Sequence, residues 1–330
     1  MTEKQFEDKS KEPVLYCLDE EKYEAQMTEV VEPYLKENGI RGSVAGLYFE
    51  FYGQQEPKGT IVISHGFTES CEKYHELIYY MHQAGYQAAV LDHRGHGKSL
   101  REVEDPQLVH VENFSMYVED MHRFIKTEVL PRAKDRPLYL YAHSMGGCIG
   151  TLYLEQHPEI FKKAVLNAPM YGINNGTIPD FAAKLLCRMA ALLGKKKERL
   201  FTMGSFDPQE PFEVSGGDSL ARHNYYLKRR REIPAYQTSC ASYGWALEAM
   251  KAGKRAIASK HASNIRIPVL LFQAERDTFV RAKEQELFLS RIPNGRKILV
   301  DSKHEINRMP SDRLEPYVAE ILAFYQKHEK

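Results

Sequence analysis

Short, almost wholly apolar runs alternate with longer amphipathic stretches along most of this chain. Residues 43–51, 59–64, 86–92, 136–141, 163–167, 267–272 and 297–300 each predict a strand. Apolar spacing at helical period predicts helices near 74–84, 113–130, 147–155, 281–291 and 311–328. Strands that are apolar at consecutive positions are buried on both faces. The pattern therefore specifies an α/β fold, a mostly parallel sheet covered by helices on both sides. In such a sheet a ligand sits at the carboxyl ends of the strands.

Two segments depart from this rhythm. Residues 1–42 read as a polar, partly helical lead-in that closes at Glu37-Asn38-Gly39. Residues 43–170 and 263–330 carry the strand–helix alternation, and 171–262 interrupts it with helical patterns but no convincing parallel strand. The interruption reads as an insertion. Within it, 180–194 forms an amphipathic pattern, with Phe181, Leu185, Met189 and Leu192 on one stripe and Lys184 and Arg188 opposite. Lys195-Lys196-Lys197 follows the stop at Gly194, and Lys228-Arg229-Arg230-Arg231 forms a second basic run. The simplest account of both is a solvated charged face over a helix packed on the core.

Composition narrows the class. At 330 residues the chain can hold one large α/β domain with an insertion, or two modest domains. Its formal net charge is zero, which argues against a nucleic-acid partner. The insertion is lopsided: Tyr171 to Lys260 holds 15 Lys and Arg against 8 Asp and Glu, a balance of +7. Five scattered cysteines without CxxC pairing suggest neither a disulfide framework nor a zinc site. The start, 1–9, is charged where a signal peptide would be apolar. No run approaches the roughly 18 apolar residues of a membrane span. A cytoplasmic protein is the expectation.

The chemistry centres on Tyr141-Ala142-His143-Ser144-Met145-Gly146-Gly147, where a strand turns into a helix. A serine at such a turn has a strained backbone and an exposed hydroxyl, the nucleophile elbow G-x-S-x-G. Ala142 replaces the first glycine, and alanine is the next smallest choice where strand and helix pass closely. Serine needs a base, and the base needs a group to orient it. Asp277 ends the loop after the strand 267–272, and His304 follows the strand 297–300, so both emerge at the same sheet edge as Ser144. Glu275 is the rival acid, but two residues earlier it should lie against the strand. Asp277 would orient the imidazole, and His304 would act as general base and then general acid. The backbone N–H groups of Phe67, after the His65-Gly66 turn, and of Met145, after the nucleophile, are the candidate oxyanion donors. His96 and His143 read as structural neighbours of the site. Gly97-Lys98-Ser99 ends like a phosphate loop, but the glycine required five residues earlier is Asp92, so 92–99 reads as a brace.

These motifs in order, with His65-Gly66-Phe67-Thr68-Glu69, 92–99, the elbow and Ser302-Lys303-His304-Glu305, resemble the α/β-hydrolase superfamily. Within it they look closest to the lysophospholipase and monoacylglycerol lipase branch. The resemblance spans about 43–328, and Gly244-Trp245-Ala246 looks like a cap-helix feature of that branch. It implies an α/β-hydrolase fold with a helical cap at 171–262 over a serine hydrolase site, and no metal or organic cofactor. The expected substrate is an ester of one acyl chain, with peripheral membrane contact through the basic cap. A short-chain carboxylesterase or amidase is the enzymatic alternative, and a catalytically dead binding protein the non-enzymatic one.

Overall fold

The computed structural model describes residues 17–327; the charged start at 1–9 lies outside the described residues. Eight strands form the main sheet in the order β1-β2-β4-β3-β6-β7-β9-β10. They are β1 (Gly39–Val44), β2 (Leu47–Tyr52), β3 (Thr60–Ser64), β4 (Gln87–Leu91), β6 (Leu138–His143), β7 (Phe161–Asn167), β9 (Val269–Ala274) and β10 (Gly295–Val300). From β4 to β10 every pairing is parallel, while β1 and β2 pair antiparallel at one edge. β5 (Leu108–Val109) and β8 (Cys240–Ala241) make a separate parallel bridge. Strands β3, β4, β6 and β9 are buried at every position, as their unbroken apolar runs require.

The predicted strand 43–51 is instead a hairpin. Ala45 and Gly46 both adopt left-handed backbone, φ 51° and 79°, which folds β1 back on β2. A run of apolar residues cannot announce that alanine takes this conformation. The lead-in also differs from its polar reading. α1 (Tyr23–Gln26), a π-turn at Met27–Val31 and α2 (Glu32–Asn38) form a continuous helical segment. It buries Tyr23, Met27, Val31 and Leu35, spaced four apart, on the core. The sheet begins at Gly39, inside the expected lead-in.

The helices α3 (His75–Gln83), α4 (Ser115–Phe124) and α5 (Met145–Gln156) follow β3, β5 and β6, and α6 (Asp180–Leu192), α7 (Leu220–Glu232), α8 (Tyr243–Ala256) and α9 (Ser259–Ala262) come from the interrupting segment. α10 (Ala282–Leu289) and α11 (Ser311–Gln326) complete the body. α6 packs on α8, and α8 packs on α5. The stripe on α6 points outward, not onto the core: Phe181, Leu185, Met189 and Leu192 are exposed, while Cys187 and Ala190 face inward. The second basic run is a solvated face only in part, with Lys228 and Arg231 exposed. Lys228 pairs with Glu24, Arg229 with Glu72, and Arg230 is buried, donating to the carbonyls of Tyr236 and Thr238.

Candidate active site

β6 ends at His143 and α5 begins at Met145, so Ser144 alone makes the turn. Its backbone lies at φ 51° and ψ −116°, a strain on the order of 1–3 kcal/mol for an L-residue. The turn is held by its own hydrogen bonds: Ser144 N–H donates to Asn167 O at 3.0 Å, and Met170 N–H donates to Ser144 O at 2.9 Å. α5 approaches β3 so closely that a Cβ on Gly146 would lie 2.1 Å from Ser64 O. Only glycine fits there.

The loops after β9 and β10 bring the other predicted residues to this turn. His304 Nε2 lies 2.8 Å from Ser144 Oγ, and His304 Nδ1 lies 2.7 Å from Asp277 Oδ2. Asp277 Oδ1 accepts the N–H groups of Phe279 at 2.8 Å and Val280 at 3.0 Å. Burial pushes the Asp277 carboxyl up, but the hydrogen bond and charge of His304 and these two N–H groups outweigh it. The carboxyl is held below its ordinary value. A carboxylate can only accept, so Nδ1 carries the proton and Nε2 faces the serine hydroxyl as a base. Glu275 is exposed and is not the partner of His304.

The candidate oxyanion donors come from two neighbouring strand ends. β3 and β6 run parallel with Ser64 opposite Ala142, so the turn carrying Phe67 and the elbow emerge side by side. Met145 opens α5, where the first N–H groups have no intrahelical partner. Glu69 fixes the other turn: its Oε2 accepts Gly66 N–H at 2.5 Å and Tyr74 O–H at 2.6 Å. Trp245, from the Gly244-Trp245-Ala246 feature, packs its ring 4.2 Å from that of Phe67 and donates to Tyr117 Oη at 3.1 Å.

A cavity of about 700 Å³ opens at Ser144. One wall, from α6, α8 and the segment leading into α6, is largely apolar and includes Ile173, Leu186, Trp245 and Met250. The other is polar and includes Lys73, Tyr226, Arg230, Glu305 and Arg308. Lys73 Nζ sits 2.9 Å from Glu69 Oε1 and 2.6 Å from Glu305 Oε1, above the Tyr226 ring. Burial would discharge the Lys73 ammonium, but Glu305 and Glu69 reverse this and hold its pKa above the ordinary value. Arg230 was read as part of a basic run and Glu305 as part of the motif around His304, while Lys73, Tyr226 and Arg308 were not singled out from the sequence. The segment 92–99 is a brace: Asp92 accepts the N–H groups of Cys71 and Lys98, and Arg94 clasps Asp120 and Glu102. His96 is buried edge-on to Phe67 and bonds Arg94 O.

A parallel sheet with a strained serine at the end of a central strand, and an Asp–His pair from later loops, defines the α/β-hydrolase class of serine hydrolases. The chain belongs to the family described as serine aminopeptidase, S33, whose model matches residues 55–306, and to its lysophospholipase and monoacylglycerol lipase-like branch. It is 33% identical over 242 residues to Lysophospholipase L2 of Escherichia coli, covering 73% of this chain and 70% of that protein. It is 25% identical over 279 residues to the Monoacylglycerol lipase of Mycolicibacterium smegmatis, covering 83% and 90%. The fold matches a soluble variant of monoglyceride lipase from Saccharomyces cerevisiae, solved with a substrate analog, at a TM-score of 0.70 and 19% identity. That match covers 88% of this chain and 94% of the yeast one.

Proposed function

We propose that the protein hydrolyses the ester bond of a monoacyl lipid, a lysophospholipid or a monoacylglycerol, through an acyl-serine intermediate. Ser144 Oγ attacks the ester carbonyl while His304 Nε2 takes its proton, and Asp277 orients and stabilises the resulting imidazolium. The N–H groups of Phe67 and Met145 receive the oxyanion. His304 returns the proton to the leaving alcohol and then activates the water that releases the fatty acid. Residues 39–170 and 263–327 form the catalytic body, and 171–262 caps it.

The observation that carries this reading is the position of Ser144 in one cavity between an apolar and a polar wall. An acyl chain lies along Leu186, Trp245 and Met250, and the polar head meets Lys73 and Arg308. The names of the relatives point to the same substrate class. Among the described residues no helix is long and apolar enough to cross a membrane. Lys184 and Arg188 flank the exposed stripe of α6 and do not lie opposite it, an arrangement that suits an anionic lipid surface, so the protein meets its substrate by peripheral contact. Ser144→Ala should abolish hydrolysis of a panel of lysophospholipids and monoacylglycerols while leaving the unfolding midpoint unchanged. Retained activity would overturn the assignment of Ser144. A steep preference of the wild type for acetate or butyrate esters would overturn the lipid assignment.

A further inference from the structure

His143 immediately precedes the nucleophile, is buried, and turns both ring nitrogens toward atoms that can only accept a hydrogen bond. Nδ1 lies 3.3 Å from Glu69 Oε2, and Nε2 lies 3.3 Å from the backbone carbonyl oxygen of His304. A neutral imidazole carries a single N–H. It would satisfy one of these oxygens and present a lone pair to the other.

The surroundings supply the countercharge. Burial opposes ionisation of Glu69, but Lys73, His143 and the Tyr74 hydroxyl outweigh it and hold the carboxyl well below its ordinary range. Burial likewise opposes protonation of His143, and the charge and hydrogen bond of Glu69, with Glu305 behind it, outweigh burial and the repulsion of Lys73. His304 is a further titratable neighbour, its ring 4.9 Å away.

We infer that His143 is a standing imidazolium, and that its ion pair with Glu69 is the positioning device of the site. The pair ties the Gly66-Phe67 turn to the elbow at His143-Ser144, and ties both to the backbone of His304. Neither residue takes or gives a proton in the reaction. They act by holding the two candidate oxyanion donors and the base in one frame. This rests on the reading of Ser144 and His304 as nucleophile and base.

The test is nitrogen-15 NMR of the full chain with labelled histidine at about pH 8, where an ordinary histidine is neutral. The resonance set lost in His143→Gln identifies the residue. Both of its ring nitrogens should be protonated; a neutral tautomer overturns the inference without any kinetic measurement. Glu69→Gln keeps an acceptor for Gly66 N–H but removes the charge. His143 should then lose one proton, and kcat should fall about ten- to hundredfold with KM nearly unchanged. An unchanged kcat with His143 neutralised overturns the positioning role, and if that variant fails to fold the wild-type spectrum still decides the charge. Activity of Ser144→Ala is measured alongside: if it survives, the catalytic reading fails, while the protonation state of His143 is judged on its spectrum.

Discussion

Phe181 and Leu192 sit at opposite ends of the outward face of α6, 75% and 87% exposed. Replacing both with Asp should detach the protein from anionic vesicles. Burying one such side chain fully is worth about 1.5–3 kcal/mol. Scaled by the exposed fractions, the pair represents about 2–5 kcal/mol of transfer energy. A value near the middle, about 3 kcal/mol, weakens partition by about a hundredfold, before repulsion between the new carboxylates and the lipid is added. Neither residue lines the cavity, and substitutions on an exposed surface usually leave stability within about 0.5 kcal/mol. Sedimentation with sucrose-loaded phosphatidylglycerol vesicles reads the partition, and the rate on a monomeric soluble ester reads the chemistry. The double variant should lose vesicle binding and hydrolysis of vesicle-borne substrate while retaining the soluble rate. Unchanged sedimentation refutes the docking face. Equal loss on the soluble ester refutes the separation of docking from catalysis.

Asp277→Asn should keep the geometry but favour the wrong tautomer of His304, lowering kcat on the order of 10⁴-fold in stopped-flow ester hydrolysis. Arg222 is 1% exposed and joins α7 to Glu76 of α3 and Glu20 of the N-terminal segment. Arg222→Met strands these carboxylates and should cost about 3–5 kcal/mol in urea unfolding, with part recovered in the double variant carrying Glu76→Gln. Glu155 on α5 is buried with both carboxylate oxygens unpartnered among the described residues, and burial raises its pKa to about 8. The native carboxyl stays protonated while the unfolded one ionises near its ordinary value of 4.5. Its stability contribution is therefore full below that value and is lost as pH rises toward 8, by about 1.4 kcal/mol per unit. Glu155→Gln should flatten the fall of Tm between these two pH values.

The parallel strands were legible because their apolar runs leave no other home for their side chains, and the loops after β6, β9 and β10 followed from them. Their residues Ser144, Asp277 and His304 could be named because each chemistry-bearing type stands just past a strand end. What periodicity could not say is what a helical face meets. The stripe on α6 is real, yet it is turned to solvent, with Cys187 and Ala190 buried on the other side. In the N-terminal segment the four-residue spacing of Tyr23, Met27, Val31 and Leu35 was present, but the acidic residues between them masked it. Lys228 and Arg229 read as a basic face because their partners Glu24 and Glu72 lie far away in the sequence. His143 read as structural for the same reason. Its meaning depends on two loops, at Glu69 and His304, that only the folded sheet brings together.

The two walls of the cavity are held with unequal strength. The α7 side is anchored by the buried pair of Arg222 with Glu76, by the half-buried Arg229 on Glu72, and by Tyr23 packed edge-on to Tyr225. Breaking a buried ion pair costs about 3–5 kcal/mol. The start of α6 is tied to the body by Asp180 and Arg281, an exposed pair of the kind worth about 0–1 kcal/mol. The side chains that α6 buries fully are the small Cys187 and Ala190. Widening the cavity therefore runs through α6, while the polar wall of Lys73, Glu305 and Arg308 keeps its geometry. That asymmetry suits a substrate whose chain arrives from a lipid surface. On the proposed reading, the helix offered to that surface is the one that yields, and the side chains offered to the head group stay fixed beside the base.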